Sequence, residues 1–154
     1  MQIGKTKVLE GNALNLLLPE NSIDVIITSP PYSFAIDYLK NDKTQLEYLD
    51  ADIEKLYSQM IGLQGYGIDE KLQMYFDAME KAIAEMYRVL KESSSLVIVI
   101  GTNDIQTKGV RLETKVIDIA QKAGFVFELS LIKPIRGLQN SMKEEFVLFF
   151  KKQS

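Results

Sequence analysis

The chain has 154 residues, the length of one domain, and a chain of this size can bury roughly 70% of its unfolded surface in a core. Hydrophobic residues make up 46% and charged residues 25%, ordinary for a soluble globular protein, and no apolar run approaches the ~20 residues that span a bilayer. There is no cysteine and no histidine, which removes disulfides, thiolate nucleophiles, imidazole bases and the usual zinc sites. Chemistry must then come from carboxylates, hydroxyls, backbone groups or a bound cofactor, and no metal site is expected.

The net charge of −3 is unevenly spread: residues 1–50 carry 4 basic and 7 acidic side chains, 51–100 carry 5 and 8, and 101–154 carry 9 and 6. Only the last third is suited to meet a polyanion, and a solvated basic face is the competing reading. The start, MQIGKTKVLEG, lacks the basic-then-apolar pattern of a signal peptide, so a cytoplasmic protein is expected.

In chain order, Lys7–Glu10 (KVLE) reads as a short strand leading into Gly11-Asn12-Ala13. The run Ile23–Thr28 is rich in isoleucine and valine, which suits a strand buried on both faces. Leu46, Leu49, Ile53, Leu56 and Met60 recur at three- and four-residue steps and predict one helix, stopped by the glycines at 62, 65 and 67. Leu72, Tyr75, Phe76, Met79, Ile83, Met86, Tyr87 and Leu90 share one face of a long amphipathic helix between Asp69 and Lys91. Ser93-Ser94-Ser95 is read as its break, before an apolar strand at Leu96–Ile100. A helix comes next over Thr114–Ala123, then strands over Phe125–Ile132 and Glu145–Phe150 joined without a helix, as an antiparallel edge hairpin. The pattern predicts a single α/β domain over residues 1–154, with a mostly parallel sheet, helices on both faces, and Ile23–Thr28 parallel to Leu96–Ile100.

The first of those two strands runs straight into Thr28-Ser29-Pro30-Pro31-Tyr32. Proline cannot donate to a sheet ladder, so Pro30 and Pro31 mark where pairing ends. That end is the carboxyl side of an inner strand, where open α/β sheets place their ligands. Rigid carbonyls beside the Ser29 hydroxyl and the Tyr32 ring would hold a flat molecule bearing an amino group. A plain turn is the competing reading of the prolines alone.

The run IDVIITSPPY resembles the catalytic motif, (D/N/S)PP(Y/F/W) after an apolar strand, of the S-adenosylmethionine-dependent methyltransferases that act on exocyclic amines of DNA bases; its serine form is typical of cytosine-N4 enzymes. SFAIDY, AEMYRVLKESSSLVIVIG, VIDIAQKAGF and SMKEEFVLFFKK fall where that family has comparable segments, so the resemblance covers almost the whole chain. It implies a Rossmann-like methyltransferase fold, S-adenosylmethionine as cofactor and DNA as partner. By resemblance, Ser29, Pro30, Pro31 and Tyr32 are the catalytic residues. Ser29 and the Pro30 carbonyl accept from the target amine beside the cofactor, and Tyr32 stacks on a flipped-out base. Both the Ser29 and Tyr32 side chains are expected to line a crevice, outside the core. Asn12 would meet the cofactor adenine, or serve only as a turn asparagine. Asp37 and Tyr38 would shape the base pocket or hold its loop; Asn103 and Asp104 would face the same crevice or cap the next element. Lys133, Arg136 and Lys143 would contact phosphates, or form a solvated loop. Methylation at cytosine carbon-5 needs a cysteine and is excluded.

The glycine-rich cofactor loop and the acidic residue after the second strand of such enzymes have no counterpart here, and the first strands of their sheet are absent. The expectation is therefore an incomplete fold: a catalytic half that requires a cofactor-binding partner subunit or forms a homo-oligomer, and that holds S-adenosylmethionine weakly by itself. Two other readings stay open: a non-catalytic binding or structural subunit, and an amino-methyltransferase acting on adenine N6, RNA or protein glutamine.

Overall fold

In a computed structural model, residues 5–32, 38–62, 64–102, 107–135 and 144–153 are described. Strand β1 (Ile23–Thr28) is followed by three short helices, α1 (Tyr38–Asn41), α2 (Lys43–Tyr48) and α3 (Ile53–Gln59). The long helix α4 (Gly67–Val89) leads into β2 (Leu90–Gly101). Helix α5 (Leu112–Lys122) then precedes the hairpin of β3 (Phe125–Pro134) and β4 (Glu144–Lys152). The four strands form one sheet in the order β1-β2-β4-β3. As expected, β1 and β2 are parallel neighbours, and β3 and β4 form an antiparallel hairpin. β4 also inserts antiparallel beside β2. Among the described residues, no helix is long and apolar enough to cross a membrane.

Several expectations are corrected. Lys7–Glu10 is not a strand: its apolar residues have no neighbouring strand to pair with, and Val8 and Leu9 are exposed. The single helix expected across residues 46–60 is two, because Asp50 adopts a left-handed φ of 53° and Asp52 caps a new start by accepting from the Lys55 N–H at 2.9 Å. The serine triplet does not separate helix from strand. α4 ends at Val89 and β2 begins at Leu90, so Ser93–Ser95 lie inside the strand, with Ser93 at φ 56°.

Helix α4 forms because its apolar face and its ends agree. Leu72, Tyr75, Met79, Ala82, Ile83, Met86 and Val89 are buried along one side. Asp69 and Glu70 lie in the first turn and Arg88 in the last, each complementing the helix dipole. Helix α5 stops at Gly124, whose φ of +105° favours glycine. A Cβ there would stand 3.0 Å from the Tyr87 ring, so that ring needs the bare backbone to pack.

The joint between α4 and β2 is closed by a buried lysine. Lys152, at the end of β4, donates to the Tyr87 and Leu90 carbonyls at 2.8 Å and to Asn21 Oδ1 at 2.9 Å. Its ammonium also lies 4.6 Å from the centre of the Tyr87 ring.

The sheet is covered on one face only by the described helices. Leu96, Ile98 and Ile100 of β2 and Phe146, Leu148 and Phe150 of β4 are buried in the core with α4 and α5, which contact each other. The alternate residues make an apolar surface. Ile27, Val97, Phe149 and Leu129 form one row across all four strands, and Val99, Val147 and Leu131 form a second. Ile27 is 72% exposed and Leu131 55%. Among the described residues, the expectations of helices on both faces and of a doubly buried Ile23–Thr28 are thus not met: the strand is apolar on both sides, but the described elements pack against one side only.

Candidate active site at the carboxyl end of the parallel strands

TSPPY leaves β1 at Thr28, which among the described residues pairs with β2 alone, so the strand is at the sheet edge and not inner as expected. Ser29 is exposed and Pro30 is buried. Tyr32 is only 7% exposed and belongs to the core cluster that includes Leu72 and Tyr75, which corrects the expectation that its ring lines a crevice. Its hydroxyl donates to Glu145 Oε1 at 2.9 Å and lies 3.4 Å from Ser29 Oγ. Glu145 Oε2 accepts from Lys133 Nζ at 2.9 Å. The Lys133 hydrogen bond, then that from Tyr32, holds the Glu145 carboxyl below the usual range against the opposing effect of burial.

Thr102 follows β2 at the same end of the sheet. Its hydroxyl donates to Glu113 Oε2 at 2.6 Å and accepts from the Leu112 N–H at 2.9 Å, so it caps the start of α5 from a distance. Glu113 is itself buried and paired with Arg111, which reaches Glu144 at 4.0 Å. Glu144 and Glu145, adjacent at the start of β4, are thereby tied to α5 on one side and to TSPPY on the other. Sequence reasoning missed Glu145 and Glu113; their partners are remote in the chain, and the one available signal was a carboxylate opening an otherwise apolar strand.

Asn12 reaches this neighbourhood. Gly11, Asn12, Ala13, Pro31 and Ile61 line a recess of about 250 Å³. The Asn12 Oδ1 accepts from the Leu14 N–H at 2.9 Å, an Asx-type turn. The segment after it is clamped to α4. Arg88 donates to the Leu16 and Leu18 carbonyls at 2.9 Å each, Glu85 accepts from the Leu16 N–H at 2.7 Å, and the two side chains pair at 2.8 Å.

Arg88, then the Leu16 N–H, pushes the Glu85 carboxyl from 4.5 down to about 2. A depressed carboxylate contributes stability that is complete above its unfolded value and is lost as pH falls through its folded one. Glu85→Gln should therefore be less stable than the parent at pH 7, with the difference narrowing between pH 4.5 and about 2. Denaturant melts at pH 7, 4 and 3 check this; a gap that is constant or widens towards acid rules the clamp out.

Lys133 is described, and stands paired with Glu145 at the base of the hairpin. Asp37, Arg136, Lys143, Asn103 and Asp104 lie outside the described residues. Tyr38 begins α1, but its side chain also lies outside them.

The N6_N4_Mtase family, described as DNA methylase, matches residues 23–153. The chain is 45% identical over 51 residues to the type II methyltransferase M.MjaVI of Methanocaldococcus jannaschii, which is 32% of this chain and 26% of that protein. It is 31% identical over 98 residues to the type II methyltransferase M.BglII of Bacillus subtilis, 62% of this chain and 19% of that protein. In fold it is similar to a candidate DNA modification methylase of Thermus thermophilus solved with S-adenosyl-L-methionine. There the TM-score is 0.57 and the identity 19%, over 94% of this chain and 52% of that one. PvuII DNA methyltransferase (cytosine-N4-specific) gives a TM-score of 0.57 at 18% identity, over 93% of this chain and 48% of that one. The matched part is about half the length of these solved chains and about a quarter or less of the two sequence relatives. With its motif-bearing strand, its sheet order and a match that runs over most of its length, the chain belongs to the N6/N4 DNA methylase family.

Proposed function

We propose that this chain is the catalytic portion of a DNA methyltransferase that moves a methyl group from S-adenosylmethionine to the exocyclic N4 of cytosine. The observation that carries the reading is the placement of Ser29 and Pro30 at the carboxyl end of β1, beside the end of its parallel neighbour β2. An exocyclic amine is a poor nucleophile because its lone pair is delocalised into the ring. Acceptors on its two N–H groups favour a pyramidal nitrogen and free that lone pair; in this reading the acceptors are the Ser29 oxygen and the Pro30 carbonyl. When bound, S-adenosylmethionine supplies a methyl group on a sulfonium leaving group. The amine lone pair would take that methyl group as its bond to sulfur is given up, and one amine proton would leave to water. Orientation carries the step, with no covalent enzyme intermediate. The serine of TSPPY supports cytosine over adenine.

The residues present fit parts of the cofactor. The recess beside Pro31 offers flat apolar walls in Pro31 and Ile61 and an amide in Asn12, suited to an adenine ring. An adjoining recess shares Gly11 and Asn12 and adds the Glu10 and Asp52 carboxylates and the Lys55 ammonium, groups suited to ribose hydroxyls and a carboxylate. The reading also includes a further polypeptide portion, in this or another chain, that covers the apolar face of the sheet.

The test is methyl transfer by the native protein, isolated with whatever polypeptide accompanies it, from radiolabelled S-adenosylmethionine to DNA. Nuclease digestion and chromatography then identify the labelled base. N4-methylcytosine is expected. N6-methyladenine would correct the base, label in RNA or protein would correct the substrate, and no transfer at all would favour a binding subunit.

A further inference from the structure

The described hydrogen bonds leave one polar group at the methyl-transfer end of the sheet without an assigned role. Glu145 receives two donors on its two oxygens, Tyr32 Oη on Oε1 and Lys133 Nζ on Oε2, each at 2.9 Å. Its side chain is 17% exposed, whereas that of Lys133 is 69% exposed. A carboxylate so bound only accepts, so the proton of the Tyr32 hydroxyl points at Glu145. Any hydrogen bond across the 3.4 Å between Ser29 Oγ and Tyr32 Oη then has Ser29 as its donor. A serine hydroxyl can donate or accept, and an amine that brings two N–H groups needs acceptors. With its proton turned towards Tyr32, Ser29 presents its lone pairs to an incoming amine. The distance exceeds that of an ordinary hydroxyl hydrogen bond, which leaves room for it to shorten as the amine draws on the Ser29 oxygen.

We propose that Glu145 is a positioning residue of the methyl-transfer site: anchored by Lys133, it fixes the Tyr32 hydroxyl and, through it, holds Ser29 in the accepting orientation. The inference rests on the functional reading above and goes beyond it. It gives Tyr32 a role that its buried ring permits, and it gives Lys133 an anchoring role distinct from phosphate contact. It also couples the base of the β3–β4 hairpin directly to the catalytic strand end.

The experiment is steady-state methyl transfer by the native protein with Glu145→Gln, Tyr32→Phe, the two combined, and Lys133→Met, each checked for folding by circular dichroism. Tyr32→Phe keeps the ring in the core, so the test survives if Glu145→Gln folds poorly. A charge-assisted hydrogen bond corresponds to roughly 10- to 100-fold. Glu145→Gln and Tyr32→Phe should each lower kcat by about that factor, with KM for DNA little changed. The double variant should be no worse than the worse single one, because both cut the same link. Lys133→Met should likewise lower kcat. Multiplying effects, a change confined to KM, or full activity of Glu145→Gln would overturn the inference while leaving the methyltransferase reading intact. A parent protein that transfers no methyl group would overturn both. A Lys133→Met variant that raises KM for DNA and weakens its salt dependence at unchanged kcat would return Lys133 to phosphate contact and remove the anchor.

Discussion

Tyr32→Ala is expected to destabilise the protein by about 4 kcal/mol, the usual cost of truncating a core aromatic. The melting temperature should fall on the order of 10 °C for a domain of this size. The ring is 7% exposed and packs in the cluster that holds Leu72 and Tyr75, so its loss leaves a cavity under TSPPY. The hydroxyl is a smaller part of the effect. Tyr32→Phe keeps the packing and loses the bond to Glu145, and should cost about 1 kcal/mol. Calorimetry on both variants decides the matter. If the alanine variant melts with the parent, the ring is not a core element, and any activity loss reports the site alone.

The second large effect is expected at the opposite end of the sheet. Lys152→Met keeps the apolar stem and removes the ammonium that the Tyr87 and Leu90 carbonyls and Asn21 Oδ1 share. Two backbone acceptors then face an apolar side chain, one at each side of the direct passage from α4 to β2. Leaving buried acceptors unmet costs about 1 to 3 kcal/mol apiece, so a loss of about 3 kcal/mol is expected. Lys152→Arg should recover only part of it, since a planar guanidinium does not match three acceptors gathered around one nitrogen. Equal chemical-denaturation midpoints for Lys152→Met and the parent would show that water replaces the ammonium.

The two predictions also mark what the sequence made legible. Ile23–Thr28, Phe125–Ile132 and the β4 run announce themselves as apolar stretches bounded by Pro, Gly or charge, and α4 by its period and its terminal charges; the β1–β2 pair and the β3–β4 hairpin followed, but not the antiparallel place of β4 beside β2. The failures share a physical cause: the outcome depended on a neighbour that local pattern does not name. Lys7–Glu10 reads like a short strand but has no strand beside it among the described residues. Ser93–Ser95 look like punctuation, yet β1 pairs with Leu90 before them and again from Ser95 onward, so the irregularity stays inside β2. Leu46–Met60 has helical spacing, and one left-handed residue at Asp50 divides it. At the site, TSPPY could be found because a strand end and a motif coincide in sequence. The burial of Tyr32 could not, because its partner Glu145 opens a strand at the far end of the chain.

The seamless passage from α4 into β2 also sets the order in which the molecule gains its structure. α4 and β2 are contiguous, and the β3–β4 hairpin closes on itself, so these pieces need little loop closure and can form early. β1 must return across all three short helices and the whole of α4 before Ile27 meets Val97, and it pairs on one side only. The strand that carries TSPPY is thus expected to be the last secured and the first to open, and amide hydrogen exchange should run faster in β1 than in β2 or β4. A strand end that can loosen without melting the sheet behind it would give TSPPY room to rearrange while Leu96, Ile98 and Phe150 stay in place.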